Sequence, residues 1–149
     1  ARLWFYLDEL ERMVGDRLCV ITAEARSYLG VTSVGHRRYD VIVSDCFGGA
    51  EPVRELATVE ALRLVRGSLH AGGVYVANIV SASEGSDVTF LRDCVATALE
   101  VFAHAWVVPC GDTEFGGEEN YLLIAGDGDY AFAGAVPYDT DFLGTVLYD

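Results

Sequence analysis

The stretch YDVIVSDCFGG, residues 39–49, decides how the chain is read. Val41, Ile42 and Val43 follow one another without polar alternation, the pattern of a parallel strand covered on both faces. The run ends in an acid, Asp45, and the chain then turns through Gly48 and Gly49. Ligands of open α/β sheets bind in the crevice beyond the carboxyl ends of the strands, so an acid placed there is where function is to be sought.

Outward from this strand, apolar periodicity alternates between strand and helix. Residues 17–22 (RLCVIT) read as an earlier strand. Val59, Leu62, Val65 and Leu69 recur at helical spacing, with Thr58 as N-cap and Gly72-Gly73 just past the end. A further strand covers residues 74–79, and Val88, Leu91, Val95, Leu99 and Phe102 predict a second amphipathic helix capped by Ser86. Strands at 105–108 and 121–125 flank a Gly-rich turn. At the start, Leu3, Leu7, Leu10 and Val14 share one helical face. If residues 3–7 were instead a strand, Asp8 or Glu9 would be the acid at its end. The order predicts one α/β domain over residues 1–149, a Rossmann-like sheet mostly parallel with a C-terminal antiparallel hairpin, and a loop-rich tail over 126–149.

Composition narrows the function. With 149 residues, 52% of them hydrophobic, the chain can bury one core. Its apolar runs are far shorter than the roughly 20 residues that span a bilayer, and its opening is acidic where a signal peptide would be apolar. A soluble cytoplasmic protein without membrane association is expected. Cys19, Cys46, Cys94 and Cys110 show no paired spacing and read as reduced, mostly buried thiols. All ten basic residues are Arg, which excludes a Walker-type phosphate lysine and a lysine Schiff base. A net charge of −13 argues against nucleic acid and suits a cationic ligand. His36, His70 and His104 have no ligand spacing, and no metal is implied.

Three residues stand at or near strand ends: Glu24, Asp45 and Asn78. Asp45 can hydrogen-bond an amine or ribose, or take a proton from a nucleophilic nitrogen; it fits a solvated turn equally well. Glu24 also suits a cap on the segment that follows it, and Asn78 a strand-end residue satisfied by backbone.

These residues lie in blocks that resemble a family. RLCVITAEARSYL, YDVIVSDCFGG, EPVRELATVEALRLVRGSLHAGGVYVANI and ENYLLIAGD are similar, in order across about residues 17–127, to the central blocks of spermidine synthase-like proteins, polyamine aminopropyltransferases on the class I methyltransferase fold. The resemblance implies that Glu24, with Ala25 beside it, recognises the adenine of decarboxylated S-adenosylmethionine. It implies that Asp45 deprotonates the attacking amine of a substrate such as putrescine. No cofactor is held tightly on this reading; decarboxylated S-adenosylmethionine, or S-adenosylmethionine itself, is a co-substrate.

The resemblance has gaps. Family members follow the strand with an Asp-Ser-Ser-Asp-Pro type run where this chain has Asp45-Cys46-Phe47-Gly48-Gly49. The family's Gly-rich nucleoside loop has no counterpart, and TVLYD matches only the start of a closing Leu-Thr-Asp-Asp motif. The chain therefore reads as clipped at both ends, with an open sheet edge that invites a homodimer or a larger parent protein. Three functions stay open: an aminopropyltransferase, a non-catalytic dimerisation or regulatory module of the same fold, and a small-molecule methyltransferase using S-adenosylmethionine.

Overall fold

A computed structural model describes residues 4–35, 37–48, 51–82, 89–111, 118–137 and 144–149. Among the described residues there are four α-helices: α1 (Leu7–Val14), α2 (Ala25–Val34), α3 (Val59–Ser68) and α4 (Thr89–Val101). The main sheet is built from β1 (Tyr39–Ser44), β4 (Leu69–Ala82), β5 (His104–Pro109), β6 (Glu118–Gly126) and β7 (Val136–Pro137). Between β1 and α3, β2 (Phe47–Gly48) and β3 (Glu51–Pro52) form a small hairpin.

Strand order is β1-β4-β6-β5-β7. β4 runs parallel to β1, whereas β6 is antiparallel to both β4 and β5, and β7 antiparallel to β5. The sheet is therefore mixed, which corrects the expectation of a mostly parallel one. The cause lies in the connections: α3 joins β1 to β4 as a crossover, while β6 inserts between β4 and β5 and inverts the ladder on both of its sides.

Alternation along β4 sets the core. Tyr75, Ala77 and Ile79 are buried, and they cluster with Leu62 and Val65 of α3, Leu91, Val95 and Ala98 of α4, and Leu123 of β6. The opposite face is only half covered at Val74, Val76 and Val80. On β1, Val41 and Val43 remain 52% and 65% exposed, so the described residues do not cover this strand on both faces.

Several boundaries differ from the pattern-based reading. Residues 17–22 form no strand: a 3-10 turn (Gly15–Arg17) leads into an extended segment that has no partner ladder among the described residues. Thr58 caps α3 by accepting from the Ala61 amide, as its sequence position suggests. That helix stops at Ser68, before the glycines, and Gly72 and Gly73 fall inside β4. Gly73 suits the close approach there, because a Cβ would lie 3.0 Å from the Tyr39 carbonyl oxygen at the point where the β1–β4 register shifts. Ser86, Val88, Leu3, His36, Gly49 and most of the Gly-rich turn fall outside the described residues. Of the four cysteines only Cys94 is buried, while Cys19 and Cys110 are exposed, against the expectation of mostly buried thiols. No helix among the described residues is long and apolar enough to cross a membrane.

The core assignment predicts that Leu62→Ala, at a site 2% exposed, lowers unfolding free energy by about 2–5 kcal/mol. Val34→Ala, at an 86% exposed site, should shift it by no more than about 0.5 kcal/mol. Urea denaturation with a common slope checks this, and equal losses at the two sites would contradict the placement of the core.

Candidate functional site

Register places the candidate acid. Ser44 is paired with Ala77 across the parallel β1–β4 ladder, so Asp45 comes beside Asn78 on the neighbouring strand. Asn78 Nδ2 donates to Asp45 Oδ1 at 2.9 Å. The orientation of the amide follows, since the reverse would set its oxygen against the carboxylate. Asn78 Oδ1 is then left buried without a hydrogen-bond partner among the described residues. Beside this pair a small cavity of about 20 Å³ is lined by Asn78, Ser44, Cys46, Tyr75, Ala77 and Ile79 among others. That is space for one water or one nitrogen atom.

A larger groove, of about 320 Å³, runs along the β1 edge and is lined by Ala25, Tyr28, Tyr39, Val43, Ser44 and Cys46 among others. It brings together the neighbours of both predicted acids, Ala25 beside Glu24 and Ser44 with Cys46 beside Asp45. Tyr28 and Tyr39 share a hydroxyl–hydroxyl hydrogen bond of 2.9 Å in its wall. That bond holds the Tyr28 phenol below its ordinary value and, together with burial, pushes the Tyr39 phenol above it, while the positive charge of Arg37 favours the ionised form of both.

Glu24 is exposed and is the N-cap of α2. Its Oε1 accepts from the Arg26 amide at 2.8 Å and its Oε2 from the Ser27 amide at 2.7 Å. A carboxylate has about four lone-pair positions, so these two amides do not exhaust its capacity to accept. The bond to Ser27 and the helix-end amides hold its pKa below the usual value. The structure thus gives Glu24 the capping position that the sequence left open beside its nucleoside role.

Sequence reading missed Arg26 and Asp149. Arg26 forms a two-pronged ion pair with Asp149, and its Nη1 also donates to the Glu55 carbonyl at 3.0 Å. The partners are 123 positions apart, and no local pattern could have signalled them. Two buried groups are unsuited to proton transfer near neutrality: burial pushes the Tyr75 phenol and the Cys94 thiol each to about 12. No group of three or more His, Cys, Asp or Glu residues among the described ones is arranged to hold a metal ion.

No protein-family model matches the sequence, and no curated protein matches it. Solved structures do resemble the fold. A probable spermidine synthase from Corynebacterium glutamicum superposes with a TM-score of 0.73 at 23% identity, over 97% of this chain and 60% of that one. Human methyltransferase-like protein 13, solved in complex with SAH, gives a TM-score of 0.60 at 21% identity, over 91% of this chain and 60% of that one. The chain has a class I methyltransferase-like fold and spans about 60% of the length of each neighbour.

Acid titration tests the depressed carboxylates. Glu24 and Asp149 lie below their ordinary values of 4.5 and 3.8 in the folded chain. The stability they add is therefore present above those values and lost as pH falls through the lowered folded ones. Glu24→Gln should flatten the decline of the unfolding midpoint between pH about 5 and about 2, and an unchanged acid limb would show that the cap contributes nothing.

Proposed function

We propose that this chain is an aminopropyltransferase of the spermidine synthase-like kind. The observation that carries the reading is the Asp45–Asn78 pair, a strand-end carboxylate held by one amide hydrogen while the amide oxygen beside it waits for a donor. A protonated amine is a donor of that kind. Asp45 would take its proton, and the freed nitrogen lone pair would attack the carbon next to the sulfonium of decarboxylated S-adenosylmethionine. The new C–N bond forms as the C–S bond breaks, its electron pair stays on sulfur, and methylthioadenosine leaves. Glu24 would accept from the adenine amino group or a ribose hydroxyl on its remaining lone pairs, with Ala25 offering an uncrowded wall. The net charge of −13 supports a cationic acceptor such as putrescine.

The second reading is a small-molecule methyltransferase with S-adenosylmethionine as donor, favoured by the likeness to the methyltransferase solved with SAH. The same carboxylate would serve it, with a methyl group in place of the aminopropyl chain.

Asp45→Asn should lower turnover of putrescine by about 10²-fold or more while leaving methylthioadenosine affinity within about threefold. Full turnover in that variant would remove Asp45 as the base. Methyl transfer without aminopropyl transfer would select the second reading. A wild-type chain that binds no sulfonium nucleoside by calorimetry would leave a non-catalytic module of this fold.

A further inference from the structure

The segment 144–149 lies across the helices as a strap. Gly144 packs so closely on α4 that a Cβ there would overlap the Arg92 carbonyl. The Thr145 amide donates to Oδ1 of the buried Asp93 at 2.7 Å, and the Leu147 amide to Oγ1 of the fully buried Thr97 at 3.0 Å. The Leu147 carbonyl in turn accepts from the Val59 amide at 2.9 Å, in the first turn of α3. These four contacts fix the direction of the chain and deliver Asp149 to the amino ends of two helices.

There the Asp149 carboxylate accepts from Thr58 Oγ1 at 2.9 Å, and the Asp149 amide donates to Glu60 Oε2 at 3.2 Å. Both carboxylate oxygens also bind the Arg26 guanidinium. Arg26 supplies one of the two backbone amides that hold Glu24. The ion pair thus connects a strap anchored on α4 to the first turn of α2, where the candidate nucleoside acid sits.

We propose that Asp149 is a positioning residue for the nucleoside corner: through Arg26 it fixes the α2 amino end and so the direction in which Glu24 presents its free lone pairs. The idea rests on the proposed function for its ligand and on the geometry alone for its mechanical link. Glu24, Arg26, Thr58, Glu60 and the Glu55 carbonyl are the groups that meet at this joint. An Arg26 released from Asp149 would keep one neutral acceptor, the Glu55 carbonyl, and lose its two-pronged anchor.

Hydrogen exchange on the purified chain and calorimetric titration with methylthioadenosine test it together. Asp149→Ala should speed exchange of the Arg26 and Ser27 amides by about tenfold relative to the α4 amides, and weaken methylthioadenosine by about tenfold. Asp149→Asn, which keeps an acceptor for Arg26, should fall between. If Asp149 acts through Arg26, the double variant Arg26→Ala with Asp149→Ala should match Arg26→Ala alone in both readouts. Unchanged exchange at Arg26 and Ser27, or equal acceleration across α4, overturns the proposal, as does faster exchange with undiminished affinity. A wild-type chain that binds no methylthioadenosine sinks the transferase reading instead, and the exchange arm still decides the mechanical link.

Discussion

The two-sided pairing of β4 is the constraint on which the rest depends. One edge of this strand accepts the parallel β1 and the other the antiparallel β6, so the sheet is ordered around β4. Its alternate residues Tyr75, Ala77 and Ile79 give α3 and α4 a surface to bury against. At the carboxyl end the same pleat turns Asn78 toward the strand that carries Asp45. A one-residue slip in the β1–β4 register would move Asn78 to the other face, and the amide would no longer meet the acid. Core packing and site geometry are therefore specified by one ladder, with Gly73 permitting the close approach at its start.

Elements with strong local signals were legible in the sequence. α3 shows its apolar spacing and its Thr58 cap plainly, and the β-branched run of β1 is equally clear. Residues 17–22 look just as strand-like in composition, yet they form none, because a strand exists only where a neighbour accepts its ladder. Parallel against antiparallel pairing was also hidden. The pattern of 121–125 reveals a buried strand and not that it inserts between β4 and β5. At the site, Asp45 announced itself by position and Glu24 by its place ahead of a helix. Arg26 and Asp149 did not, since only the folded chain brings such distant residues together.

Charge in this chain is arranged more narrowly than its total of −13 implies. Two carboxylates at helix amino ends, Glu24 and Asp149, are held by amides and a guanidinium, and both are stabilised in their ionised form. Their negative charge is answered within the chain, Glu24 by the amides of α2 and Asp149 by Arg26. Arg26, in turn, is held by Asp149.

What remains around Asn78 is a surplus of acceptors. One amide hydrogen of Asn78 is spent on Asp45, and its buried oxygen has no partner among the described residues. An unpaired buried oxygen discriminates by what it leaves unpaired: a carboxylate or phosphate oxygen could not satisfy it, whereas an ammonium could. The buried orphan oxygen carries a desolvation cost of about 1–3 kcal/mol until a donor arrives. That cost gives the corner its preference for a hydrogen-bond donor, and it falls on the one residue whose position the β1–β4 register fixes beside the acid.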